Sequence, residues 1–469
     1  MYKKASLIGS ILFLALGLYI FTAKPFEQAL TSQGYFILMS LSITIGLWIF
    51  RPFDIPFSIG GAFFMASMLA IGLPASVVFS GFSGSAVWTL IPALFFGFAL
   101  AKTGLGKRIA YYGMKKAKLS YGGLLLMWTI IGIALSMLTP SINVRVVIVT
   151  PIVLNCVDIC NFEKGSKERS LILLTAWAMA IIPGTGWLTG SLTGPILNGF
   201  FASAADLGTI TFNQWIKVAL LPAAVISLFT VIGGYIVLKP SKPLNLSKEA
   251  FNCEYNKLGK ISKEEKITAV ILSAAFLMFV TNSLHHIPDV ATCLIAWFLF
   301  STFGIIKGRD IGPGISWDLI IFIGTAMGFS AIFAQSGVAD WLCSILVEFI
   351  SPLCVNPWVF VYGVLLAMFF LRFIDVAAFI PTMAILTAVI PQIAKVYGID
   401  PLVWIPLITI AMNACFLNYQ NMFALVAQTS FNDNGWTSKH FGLYGTAYFL
   451  SSLLTMIIAI PYWISIGMF

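Results

Sequence analysis

Residues 122–157 read GGLLLMWTIIGIALSMLTPSINVRVVIVTPIVLNCV. The apolar run reaches Leu138, stops at Thr139-Pro140-Ser141-Ile142-Asn143, and resumes to residue 157. In hydrocarbon each unpaired backbone group costs several kcal/mol, so a membrane span is a continuous helix unless something compensates for the interruption. The stretch therefore predicts a helical hairpin that enters the membrane and returns to the same face. Residues 356–395, NPWVFVYGVLLAMFFLRFIDVAAFIPTMAILTAVIPQIAK, repeat the pattern, with the interruption around 372–382. Each hairpin is followed by an apolar span broken in its middle. The first, 170–205, is broken at Pro183-Gly184-Thr185-Gly186 and the second, 402–428, at Asn418-Tyr419-Gln420-Asn421. A single break reads readily as Pro or Gly kinking a packed helix. Four in the same order in two halves point to a polar chamber at mid-membrane, where helix N-termini face an anion and freed carbonyls face a cation.

The rest of the chain suits that setting. Of its 469 residues 59% are hydrophobic and 10% charged, against about a quarter charged in a soluble domain, so lipid must be its solvent. Apolar windows at 6–23, 34–50, 56–74, 86–103, 215–238, 267–283, 289–306, 317–335 and 442–466 read as further spans. The expected fold class is an all-α polytopic membrane protein, with about 11 transmembrane helices plus two re-entrant hairpins in two inverted repeats. Residues 1–238 form the first repeat, 239–266 a linker with seven lysines, and 267–469 the second repeat. Residues 6–23 are read as the first span rather than a cleaved leader, because more spans follow at once.

With the N-terminus and the 239–266 loop in the cytoplasm, all but five of the 27 basic residues fall on the cytoplasmic side. That is the positive-inside pattern. The five are Lys24, Lys217 and Lys395, which fall outside, and Arg145 and Arg372, within the hairpins. The C-terminus then lies outside, and the expected location is the cell (inner or plasma) membrane. The net charge of +9 sits in short loops rather than a patch, which argues against nucleic acid. The basic stretch from Lys107 to Lys118 is expected to lie along the membrane surface.

Few side chains offer chemistry. No Gly-rich phosphate loop, His-Glu-x-x-His or nucleophile elbow occurs, and Asp375 has no second carboxylate or histidine in its segment. The chain reads as no enzyme, needing no cofactor, and an intramembrane enzyme or ion channel is disfavoured. The seven cysteines show neither a disulfide framework nor metal spacing. His285 and His286 read as solvated loop residues. Arg145 reads either as a counter-ion for a carboxylate, sulfonate or sulfate, or as a side chain snorkelling to the interface. Arg372 and Asp375 either pair with each other or meet the anion and a cation or proton respectively. Asp318 is expected to cap the start of its own helix.

These residues resemble those of the divalent anion/sodium symporter family, which carries dicarboxylates, citrate or sulfate. The likeness lies in Trp317-Asp318 starting a helix, Ala334-Gln335-Ser336-Gly337 ending it, and Lys263-Glu264-Glu265-Lys266 before the second half. Family members carry Ser-Asn-Thr at each hairpin tip with Pro ten residues after the Ser. Here Ser141-Ile142-Asn143 stands ahead of Pro151, and Pro381-Thr382-Met383 ahead of Pro391; a gap would move the second tip to 375–378. The resemblance implies that Ser141, Asn143 and Thr382 touch substrate oxygens, joined by Thr185 and Asn418, with Arg145 added on the counter-ion reading above. It implies cation cages from Ser141, Asn143, Gly184, Gly186 and Asn421, with Asp375 as a further cation ligand and sodium as the coupling ion. Gly184-Thr185-Gly186 and Leu188-Thr189-Gly190 are similar to the citrate-exchanger branch, and because both tips depart from the family's Ser-Asn-Thr pattern a sodium-independent exchanger is the alternative. A homodimer in the bilayer is the assembly the resemblance implies.

Overall fold

The computed structural model describes residues 2–26, 30–204, 207–244, 248–373, 375, 379–431 and 435–469. Among these there is no strand, and nine helices are long and apolar enough to cross a bilayer. The expected spans are present, with shifted ends. The third is shorter than its apolar window, a helix over Phe57–Ala70, and another spans Asp289–Thr302. The linker carries a helix at Lys248–Lys257 that sequence reading does not anticipate.

Side-chain caps set many of the helix starts. Thr31, Ser120, Ser141, Ser166, Ser316, Asn356 and Thr437 each accept a backbone N–H of the first turn. Such caps satisfy donors that hydrocarbon cannot. Helix ends recur at matching places as well. Ser85–Thr103 stops at Gly104 (φ +82°) and Trp317–Ser336 at Gly337 (φ +75°). Both glycines adopt the left-handed conformation that ends a helix. Each then turns into an amphipathic helix, Leu105–Lys116 and Val338–Ile350.

Asp318 departs from expectation. Ser316 caps its helix, while the Asp318 carboxylate accepts from Ser58 N–H (2.7 Å) and Phe57 N–H (3.3 Å), capping a helix some 260 residues away. The acidic side chain ties the two halves together instead of finishing its own turn.

Packing pairs the halves in a repeated way. Tyr121–Leu138 lies on Lys167–Met179, as Pro357–Leu371 lies on Trp404–Asn413. Ile142–Ile159 packs on Met422–Phe431, as Ile380–Tyr397 packs on Thr193–Ser203, so each hairpin holds a helix of the opposite half. The closing helices Phe212–Val237 and Ser438–Ser465 pack on each other. The first broken span sits at the centre: its apolar window over Lys167–Gly186 is 100% buried, against 11% for Ser6–Ala23 at the rim.

Candidate functional site

The first hairpin turns through Thr139-Pro140-Ser141. Ser141 donates its N–H to Thr139 Oγ1 at 3.1 Å, and its own hydroxyl accepts from Val144 N–H, starting Ile142–Ile159. One turn later stands Arg145, fully buried, with Nε, Nη1 and Nη2 all lacking a hydrogen-bond partner among the described residues. This excludes snorkelling: the guanidinium is inside the protein. Asn143, two residues earlier and so on the opposite side of the helix, is exposed and does not converge with Arg145.

Arg145 lies against the first break, residues 180–192, where the helix gives way to tight turns over Ile182–Gly186 and Leu188–Gly190. A methyl group on Gly184 would sit 2.7 Å from Arg145 Nη1, and it would also meet the Gly190 carbonyl. Gly184 thus makes room for the charge. Thr185 donates to the Ile182 carbonyl at 2.8 Å, and its own carbonyl accepts from Trp215 Nε1 at 3.0 Å. Gly186 faces Ala223 and Leu220 of the closing helix rather than the tip. Thr189 is buried, its hydroxyl without a partner among the described residues, in a wall shared with Thr139 and Pro140; the sequence marks it through Leu188-Thr189-Gly190 but gives it no role.

The second hairpin is built around Arg372. Its guanidinium donates to the carbonyls of Asp375 (2.5 Å), Gln420 and Ala414 (3.4 Å), and lies over the Phe379 ring. Gln420 returns a bond to the Arg372 carbonyl and accepts from Phe416 and Leu417 N–H. The arginine therefore clamps the second tip to the second break, residues 414–421. The Asp375 carboxylate accepts from the Thr382 hydroxyl at 2.6 Å and its N–H at 3.1 Å. Thr382 is buried. Phe379 holds φ +61°, a conformation costing about 1–2 kcal/mol for an L-residue. The alternative tip at 375–378 falls outside the described residues except for Asp375.

In the second break Asn421 accepts from Phe423 and Ala424 N–H, capping Met422–Phe431. Asn418 donates to Ser438, while its side-chain oxygen is buried and has no partner among the described residues. The two breaks meet: Thr193 donates to Met412 Sδ at 2.9 Å. A small cavity between them is lined by Ile181 and Ile182 on one side and by Asn413, Cys415 and Asn421 on the other. Asn413, Gln420 and Thr193 carried no sequence signal beyond their nearness to a break. The first tip thus lies against the first break, the segments flanking the two breaks touch, and the second break is tied to the second tip.

Dicarboxylate transporter 1 of Arabidopsis thaliana chloroplasts is 23% identical over 312 residues, 65% of this chain and 56% of its own length. Its spinach counterpart is 25% identical over 325 residues, 65% of this chain and 54% of its own. The chain thus matches little more than half of these plant proteins. The sodium-dependent dicarboxylate transporter SdcS of Staphylococcus saprophyticus is 23% identical over 450 residues, 88% of this chain and 84% of its own. In fold the chain is similar to the crystal structure of the Alcanivorax borkumensis YdaH transporter, with a TM-score of 0.54 at 14% identity, covering 84% of this chain and 88% of that one. Residues 4–469 match the model of the sodium:sulfate symporter transmembrane region, and this integral membrane protein belongs to that family.

Proposed function

We propose that this chain carries a small divalent anion, a dicarboxylate, citrate, sulfate or sulfonate, across the cell membrane by alternating access. The observation that carries the reading is Arg145, fully buried with three unpartnered nitrogens beside an unwound helix. A charge at mid-membrane costs at least about 2.5–3.5 kcal/mol, and an anion with planar oxygens relieves that cost through paired charge-assisted bonds. Ser141, Thr185, Thr382 and Asn418 supply the remaining polar contacts as the anion enters. Gly184, Asn421 and Asp375 serve the coupling cation, for which sodium is the first choice given the family description. The two halves act as inverted repeats, with hairpins and broken helices moving as a unit against the remaining helices, in a dimer.

Arg145 also favours a second reading, sodium-independent exchange. An empty carrier would have to move an unneutralised cation, slowing its return by on the order of 100-fold. A thermal-shift screen of dicarboxylates, tricarboxylates, sulfate and sulfonates, with and without sodium, tests both readings. Stabilisation that depends on sodium supports symport; sodium-independent stabilisation with counter-substrate-stimulated liposome uptake supports exchange. Ohmic current without saturable uptake would overturn transport by a carrier.

A further inference from the structure

The outer side of the first hairpin bears a groove of about 650 Å3. One wall is Tyr121–Leu138, from Gly122 to Met137, and the other is the closing helix, from Leu220 to Tyr235. At 1.5 Å per residue each wall runs about 22 Å, well over half of the roughly 30 Å hydrocarbon core. The concavity comes from small residues: Ala224 is exposed on the groove floor, and an added methyl on Gly122 would meet nothing within 4 Å. Apart from Thr129, Ser227 and Tyr235, the lining is apolar.

The two ends of the groove differ. At one end the helices lead into lysines. Lys118 packs against Gly123, where an added methyl would lie 2.6 Å from its Cβ, and exposed Lys239 follows the closing helix. Tyr121 donates to the Lys242 carbonyl at 2.9 Å, holding this basic segment at the groove mouth. The other end is formed by Pro183 and Trp187 of the first break. Trp187 donates to the Ser136 carbonyl at 3.1 Å, and its ring borders Gly190, which borders Gly184, which borders Arg145.

We propose that this groove is a binding site for an anionic phospholipid, one acyl chain lying along it and the phosphate drawn to Lys118 and Lys239. The inference needs only the membrane setting and stands apart from the transport reading. Charge selects the occupant: a second copy of the chain would bring a like-charged mouth against this one, whereas an anionic headgroup complements it. The chain tip would rest on Trp187, so a bound lipid would brace the turn that holds Gly184 beside Arg145.

Native mass spectrometry of the purified chain with added phosphatidylglycerol or phosphatidylcholine tests this without any substrate. The wild type should retain phosphatidylglycerol preferentially. Lys118→Gln and Lys239→Gln should each lower that preference by about fivefold. Ala224→Phe, which fills the groove from its lipid-facing floor, should abolish retention of both lipids while leaving the melting temperature unchanged; Gly122→Leu gives the same readout should Ala224→Phe fail to fold. Equal retention of the two lipids by the wild type, or undiminished retention by the folded groove-filled variants, would overturn the proposal. So would loss of a dimer in Ala224→Phe with lipid retention intact, which would hand the groove to a second copy.

Discussion

The guanidinium of Arg145 rests against the α-carbon of Gly184, so close that a methyl group there would stand 2.7 Å from Nη1. One residue belongs to a hairpin and the other to a broken helix, and neither offers the other a hydrogen bond. The contact is purely one of space. A buried cation without a bond is a destabilised group, and its three unpartnered nitrogens, with five N–H donors between them, are a strong unmet demand for an anion among the described residues.

This makes the stability and binding effects of Arg145→Gln opposite in sign. Removing the charge breaks no hydrogen bond, so the ligand-free protein should melt at the same or a higher temperature. Ligand-induced stabilisation should disappear, and uptake should fall by on the order of 100-fold, the loss of about two charge-assisted bonds. Arg145→Lys should recover part of the binding, since the charge is kept but the planar fork is not. A lower melting temperature for ligand-free Arg145→Gln would mark a structural arginine instead.

Arg372 should behave in the contrary way. Its donors are spent on the carbonyls of Asp375, Gln420 and Ala414, so Arg372→Lys keeps the charge yet loses a geometry that one ammonium cannot copy. The expected cost is about 3–5 kcal/mol, as for other buried charges stripped of their partners. Thermal unfolding should show it with no ligand present. Unchanged unfolding would mean that the second tip and second break are held together by other contacts.

The order of spans, hairpins and breaks is legible in the sequence because hydrocarbon imposes one rule on every segment, and its violations show as Pro, Gly, Ser and Asn in apolar runs. Gly337 is legible for a local reason too, since glycine takes the left-handed conformation that ends a helix. What the sequence conceals is partnership over distance. Asp318 looks like a cap for its own helix and caps Phe57–Ala70. Arg372 and Asp375 read as neighbours that pair, but nothing in their spacing says that the arginine takes the Asp375 carbonyl and the carboxylate takes Thr382. Spacing along the chain fixes which groups are near each other, but not which lone pair each one meets. Asn143 is the counterpart at the first tip: its position in the motif is evident, while its exposure depends on how the helix is rotated.

Gly97 makes a prediction about motion. It lies within Ser85–Thr103, and a methyl group there would approach Thr139 Oγ1 and Ser141 Cβ to 2.9 Å. The first tip therefore rests directly on this helix. If hairpin and helix slide past one another, Gly97→Leu should disfavour the conformation described here by about 1–3 kcal/mol of overpacking. Maximal uptake should drop while ligand-induced stabilisation of the protein persists. Normal uptake would mean that this contact is not part of the transport cycle.

Outside the membrane, the linker is fastened through Arg108. It donates to the Glu265 carboxylate at 2.7 and 3.1 Å and to the carbonyls of Leu258, Gly259 and Lys260. Burial pushes the Glu265 carboxyl up, but its bonds with Arg108 and the Ser262 N–H outweigh this and hold it below its usual value. A carboxyl depressed in the folded state stabilises that state above its unfolded pKa, about 4.3, and the contribution fades as pH falls through the lower folded value. The helix Lys248–Lys257, whose Tyr255 lies beside Arg108 and Lys115, should therefore stay docked at neutral pH and loosen below about pH 4. Hydrogen exchange across residues 248–260 should accelerate there, and Glu265→Gln should show the faster exchange already at pH 7. Equal exchange in Glu265→Gln and wild type at neutral pH would remove the ion pair as the fastening.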